Sequence, residues 1–161
     1  GDYFTINVSS PNTPELRALQ ERDSLVRIIR SLREVNAAKP VLVKIAPDLD
    51  EAQLAEIADV ANSEGLAGLI ATNTTLDQSA VPPESRQQGG LSGAPLTRRS
   101  TEILKTLRRH TALPIIASGG VMTGADAREK IDAGASLVQV YTGFVYSGPA
   151  LIREITTALA A

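Results

Sequence analysis

The sequence predicts an α/β fold, a parallel sheet built as the C-terminal five βα units of a (β/α)8 TIM barrel. Three observations carry this. Five short apolar runs recur, each followed by an amphipathic segment. The runs are apolar on both faces, as strands are when helices cover a parallel sheet. Polar residues gather at the C-terminal end of every run: Asn7 and Ser10; Lys44; Thr72, Asn73 and Thr74; Ser118, Gly119 and Gly120; Tyr141 and Thr142. A barrel collects all its strand ends at one mouth, where its active sites lie. A doubly wound sheet uses mainly the ends beside its switch point. A full barrel takes about 250 residues and eight strands, so 161 residues read as a portion of one such domain, spanning residues 1–161.

The first strand is expected over 4–8, followed by the polar turn Ser9-Ser10-Pro11-Asn12-Thr13. Pro14 and Glu15 open a short helical turn. A longer helix is expected from Asp23, as N-cap, with Leu25, Ile28, Ile29, Leu32 and Val35 on one face. Pro40 stops it and admits a strand over 41–45. Asp50-Glu51-Ala52-Gln53 resembles a capping box, and Gly65 is expected just past the end of the helix that follows. The third strand is expected over 67–72. The polar stretch 77–95 is too long for an ordinary connection and reads as a functional loop or lid. A helix over 97–109, a strand over 115–118, a helix between Thr123 and Gly134, a strand over 137–141 and a last helix opened by Pro149 complete the pattern.

The composition is that of an ordinary globular chain, 43% apolar with a formal charge of −2. That balance gives no electrostatic reason to expect nucleic acid or an anionic membrane surface. With no cysteine and one histidine, disulfides and thiolate metal sites are excluded within the chain and no metal is expected. No apolar run is long enough to span a bilayer. The start at Gly1-Asp2-Tyr3, with almost no lead-in before the first strand, reads as a piece of a longer protein.

Chemistry-bearing residues sit at the strand ends. Asn side chains donate and accept at once, which suits the edge of a small imide or amide ring; Asn7, Asn12 and Asn73 lie where such a ring could be read. The paired glycines of Ser118-Gly119-Gly120 let backbone N–H groups approach an anion at a helix N-terminus. Tyr141-Thr142-Gly143 repeats the small, donor-rich pattern on the next strand, and in β/α barrels these last loops are the usual phosphate site. Lys44 lies in the apolar run Val-Leu-Val-Lys-Ile. A buried ammonium is costly unless paired, so it either pairs with Asp48 or stands as a fixed charge beside a group that becomes anionic. Gly89-Gly90-Leu91-Ser92-Gly93 allows close backbone approach to a ligand or forms a flexible hairpin. Arg98, Arg99, Arg108 and Arg109 read as a solvated helix face, and His110 as a dipole partner near a helix end.

In order, NVSSPNT, VLVKIAPD, ATNTT, GGLSG, a strand ending in SGGV, and LVQVYTG resemble the quinone-dependent (class 2) dihydroorotate dehydrogenases over essentially the whole chain. The resemblance implies a β/α barrel with FMN that oxidises dihydroorotate to orotate in pyrimidine biosynthesis and passes electrons to quinone. It implies Ser10, the second serine of NVSSPNT, as catalytic base; the cytosolic class carries cysteine there, so serine is what points to class 2. It implies Asn7, Asn12, Asn73 and Thr74 as orotate-binding residues, Lys44 and Thr72 as FMN contacts near the flavin ring, and Ser92, Gly93, Gly119, Gly120, Tyr141 and Thr142 as FMN contacts in the later loops, the last four around the phosphate. It also implies an N-terminal half of the barrel as partner, with a helical membrane-binding extension through which quinone is reached. A bacterial member would sit as a peripheral protein on the cytoplasmic side of the inner membrane.

A serine hydroxyl is a weak base and needs a relay to carry its proton away; no partner is evident nearby in sequence. Two rival readings remain: another pyrimidine-acting flavin barrel, such as a dihydrouridine synthase or dihydropyrimidine dehydrogenase, and a non-catalytic phosphate-binding half-barrel. Five strands of eight would leave two open edges, so the segment alone is expected to be inactive and to associate through them.

Overall fold

The computed structural model describes residues 1–13, 15–35 and 38–160. Five strands alternate with helices: β1 Phe4–Asn7, α1 Arg22–Val35, β2 Val41–Ile45, α2 Glu51–Ser63, β3 Gly68–Ala71, α3 Thr97–His110, β4 Ile115–Ser118, α4 Gly124–Asp132, β5 Leu137–Gln139, α5 Thr142–Ser147 and α6 Pro149–Ala160. All ladders are parallel and the order is β1-β2-β3-β4-β5, with no reversal. An order without reversal has no switch point and is that of a barrel wall, as the polar strand ends predicted.

Burial follows position in the sheet. β3 is buried throughout and β2 everywhere but Lys44, which is half-buried. The main core runs from β1 to β4 beneath α1, α2 and α3, with Leu25, Ile29, Val43, Ile45, Ile57, Leu69, Leu104 and Ile115 at its centre. A second, smaller core joins Val121, Ala127, Leu151 and Ile155. The outer strands are different. Tyr3 and Phe4 are exposed just before and at the start of β1, and Leu137, Tyr141, Val145 and Tyr146 on and beyond β5. These are the two open edges expected from the strand count.

Local signals set most boundaries. The capping box at Asp50 is complete: its carboxylate accepts from Gln53 N–H at 2.8 Å, and Asp50 N–H donates to the Gln53 side chain at 3.0 Å. Thr123 caps α4 in the same way with Asp126. Gly65 and Gly134 follow α2 and α4 with positive φ. α1 begins one residue before the expected cap, so Asp23 stands in its first turn, where a carboxylate still favours the dipole. A 3-10 turn covers Leu16–Gln20, close to the expected helical turn; Pro14 lies outside the described residues. β1, β3 and β5 are shorter than expected because ladder pairing stops at Asn7, Ala71 and Gln139.

The arginine face is only partly solvated. Arg98 is exposed, and Arg109 reaches Glu51 on α2 at 2.8 Å. Arg99 instead donates to the carbonyls of Pro47 and Leu49, each at 2.9 Å. Arg108 donates to Leu113 O. Both span gaps between elements that one helix's periodicity does not reveal.

Candidate active site

A cleft of about 210 Å³ opens at the C-terminal ends of β2 to β5. Ten of the residues singled out in the sequence line it: Lys44, Thr72, Asn73, Thr74, Ser92, Gly93, Gly119, Gly120, Tyr141 and Thr142. Ser118, Val121, Met122, Gln139, Leu96 and Gly143 complete the wall. The peptide between Ala71 and Thr72, entering the cleft, is cis.

Asn7, Ser10 and Asn12 are not in that wall. Asn7 is joined to it through Asn73, whose amide donates to Asn7 Oδ1 at 3.2 Å and to Ser9 Oγ at 3.1 Å, and Ser10 and Asn12 follow in the turn after β1. Ser9 Oγ in turn donates to Asn7 Oδ1 at 3.1 Å. Ser9 is fully buried and Ser10 partly exposed. Of the two serines, then, the first locks the amide cluster and the second is open to a ligand. Ser10 Oγ accepts the Asn12 N–H at 3.3 Å, an Asn/Ser turn that Pro11 helps to fix.

Lys44 has no carboxylate within ion-pair distance among the described residues. Burial pulls its ammonium below the ordinary lysine range. Asp48, the alternative partner, is engaged elsewhere. It pairs with Arg17 and accepts from Thr75 Oγ1 and from Leu76 N–H. Arg17 also donates to Ser9 O at 3.2 Å and Thr74 O at 2.9 Å. One guanidinium thus ties together the segments that follow β1, β2 and β3. Its five fixed donors suit that task. No local pattern signals it, because its partners are distant in the chain.

The long loop 77–95 folds back on its own root. Thr75 and Leu91 exchange both backbone hydrogen bonds, at 3.1 and 2.8 Å. Gly90 then crosses over the turn after β1: a Cβ there would sit 1.9 Å from Thr74 Oγ1 and 2.7 Å from Pro11 Cγ. Only glycine allows this approach. The loop therefore packs on the turn after β1 rather than hanging free, and Ser92 ties it to the start of α5 by accepting from Thr142 Oγ1 at 2.9 Å.

The anion-binding turn differs from expectation in one respect. Three donors at the start of α4 are taken by carboxylates. Met122 and Thr123 N–H both donate to Asp126 Oδ2 at 2.9 Å, and Gly124 N–H donates to Glu154 Oε1 at 2.6 Å. The donors left over lie one step earlier. Gly120 and Val121 N–H have no protein acceptor among the described residues. Gly120 has φ +70°, and a Cβ on it would meet Thr97 backbone atoms at 2.3 Å, so the turn is packed hard against the start of α3.

The sequence profile of the family described as dihydroorotate dehydrogenase matches residues 1–161. The chain is 50% identical over 161 residues to the "Dihydroorotate dehydrogenase (quinone)" of Christiangramia forsetii, covering 96% of this chain and 47% of that protein. It is 49% identical over 171 residues to the protein of the same name from Trichodesmium erythraeum, covering 99% of this chain and 45% of that one. Among solved structures, the ligand-free type DHODH from Eimeria tenella superposes with a TM-score of 0.92 at 40% identity, over 99% of this chain and 51% of that chain. The Eimeria tenella enzyme in complex with ferulenol gives 0.88 at 41% identity, over 99% and 49%. The chain thus spans about half the length of the relatives it matches. With a profile match along its whole length and half its residues shared with curated members, the chain belongs to the dihydroorotate dehydrogenase family.

Proposed function

We propose that this chain is the C-terminal portion of a single FMN-binding β/α barrel that oxidises dihydroorotate to orotate and delivers the electrons to a quinone. The observation that carries this is the common cleft. An unpaired, half-buried Lys44 and the free N–H donors of Gly120 and Val121 face one space, beside an amide cluster of Asn7 and Asn73. FMN fits that donor set: an anionic phosphate for the glycine turn, and a ring beside Lys44 and Thr72 whose charge the ammonium can balance. When bound, FMN supplies the hydride acceptor.

The chain's own residues supply the rest. Asn7, Asn12, Asn73 and Thr74 read the alternating donors and acceptors of the substrate ring. Ser10 takes the proton from the ring carbon, and its own proton must leave along a relay. Ser92, Gly93, Tyr141 and Thr142 close the cofactor end, with Gly119 and Gly120. The other half of the barrel completes the wall and, with a membrane-binding extension, reaches quinone at the membrane as a peripheral protein; no helix among the described residues is long and apolar enough to cross one.

The test uses the complete protein. Purified protein should carry a flavin absorbance that dihydroorotate bleaches in anaerobic rapid mixing. Ser10→Ala should keep the flavin and slow bleaching by about a hundredfold or more, the usual scale of general-base loss. A colourless protein, or one that dihydroorotate leaves oxidised, overturns the reading; an unchanged rate in Ser10→Ala removes Ser10 from the chemistry.

A further inference from the structure

Lys130 is the largest fully buried side chain among the described residues, and the proposed chemistry leaves it without a role. It rises from α4 toward the first turn of α3. Its ammonium has three donors and no acceptor capacity, and each donor has an oxygen: Thr97 O at 2.9 Å, Ser100 Oγ at 2.6 Å, and Thr101 Oγ1. No carboxylate pairs with it among the described residues. A buried cation held only by neutral oxygens is costly, and an apolar side chain would fill the same space. What distinguishes these oxygens is where the network leads.

Ser100 has one hydroxyl proton. Because Lys130 can only donate, Ser100 Oγ must accept from it, which leaves that proton for a carbonyl. The nearer one is Gly119 O at 2.9 Å, against Thr97 O at 3.1 Å. Thr97, whose carbonyl Lys130 grips, donates its hydroxyl to Gly120 O at 2.6 Å. Both glycine carbonyls are thus held from behind. In a trans peptide the C=O of one residue and the N–H of the next point in opposite directions; the cis bond at Ala71–Thr72 is the only one among the described residues. Fixing Gly119 O and Gly120 O on the α3 side turns Gly120 N–H and Val121 N–H toward the cleft, and neither has a protein acceptor among the described residues.

We propose that Lys130 is a positioning residue for the anion-binding turn, acting through Ser100 and Thr97 to aim the Gly120 and Val121 N–H groups at a phosphate in the cleft. Its own ammonium does not touch the ligand. This rests on reading the cleft as an FMN phosphate site, and the experiment separates the two.

The complete apoprotein is titrated with FMN and with riboflavin, which has the same ring and no phosphate, by quenching of flavin fluorescence. Lys130→Met and Ser100→Ala should each weaken FMN about tenfold, the scale of a hydrogen bond to a charged group, and leave riboflavin within about twofold. Thr101→Val removes an acceptor from the same ammonium, and its hydroxyl reaches the Thr97 carbonyl but neither glycine carbonyl of the turn, so it should cost FMN binding clearly less than Ser100→Ala and leave riboflavin nearly unchanged. If Lys130→Met folds poorly, the contrast between Ser100→Ala and Thr101→Val decides. Equal losses for FMN and riboflavin, or equal effects of Ser100→Ala and Thr101→Val, overturn the positioning role while the phosphate reading stands. A wild-type protein that binds FMN no better than riboflavin overturns both.

Discussion

Arg17 and Asp48 form an ion pair, so the carboxylate nearest in sequence to Lys44 is spent on another partner. The pair is mostly shielded from solvent, and Arg17 makes two further bonds to the carbonyls of Ser9 and Thr74. Arg17→Met should therefore lower the unfolding free energy of the complete protein by about 1–3 kcal/mol and slow flavin reduction by loosening the Ser10 turn. Arg17→Lys keeps the charge but loses the fork, and should recover less than half of the loss. Urea unfolding and rapid-mixing reduction measure the two effects.

Lys44 stands alone in the cleft with its charge partly desolvated. A cation beside a ring that gains negative charge on reduction stabilises the reduced form. Lys44→Met should lower the two-electron potential of bound flavin by about 30–60 mV, where roughly 30 mV corresponds to 1.4 kcal/mol. Spectroelectrochemical titration of flavin-retaining mutant protein reads the shift directly. An unchanged potential would place Lys44 away from the ring.

Lys130 gives a pH signature. Burial pulls its ammonium from the ordinary value of 10.5 down to about 8, with Glu129 and Asp126 opposing the shift and Lys105 adding to it. Below about pH 8 the ammonium is charged in both states and its burial cost is fully present. Between there and the ordinary value, the unfolded chain binds more protons than the folded one, so stability contributed at this site rises with pH. Comparing unfolding free energies at pH 7.5 and 9.5, the difference between wild type and Lys130→Met should move toward the wild type by about 1–2 kcal/mol.

The 161-residue chain by itself exposes unpaired edges on β1 and β5. Leu137 is 61% exposed and Tyr146 80%. Sedimentation of the isolated chain should show oligomers or aggregate with little flavin. Leu137→Lys with Tyr146→Lys should shift it toward monomer, since charge on an edge opposes strand addition.

The fold was largely legible because its signals are local. Apolar runs buried on both faces marked β2 and β3, and caps at Asp50 and Thr123 marked α2 and α4 to the residue. The cleft was legible too, since strand ends in a parallel sheet share one rim. What escaped is long-range. Arg17 meets partners 31 and 57 positions away, and Arg99 bridges to carbonyls across a similar span. No periodicity encodes such pairs. Lys130 escaped for another reason: in Arg128-Glu129-Lys130 it reads as an ordinary solvated charge, and only the approach of α3 buries it. Ser9, beside the more conspicuous Ser10, differs from it in burial and in its bonds to Asn7 and Asn73, which only the fold brings about.

The consecutive strand order also governs how the sheet can grow. Each strand pairs only with its sequence neighbours, so no early strand waits for a distant one. The β4–β5 ladder, which joins Ile116 to Leu137, closes the shortest stretch of chain and has its own small core in Val121, Ala127, Leu151 and Ile155. Such local pairings form fastest. The slow closure is β3 to β4, across the long loop and all of α3. There the Thr75–Leu91 bridge pinches the loop at its base, so that once it has formed, β4 returns along a shortened path and meets β3 with less chain entropy left to lose.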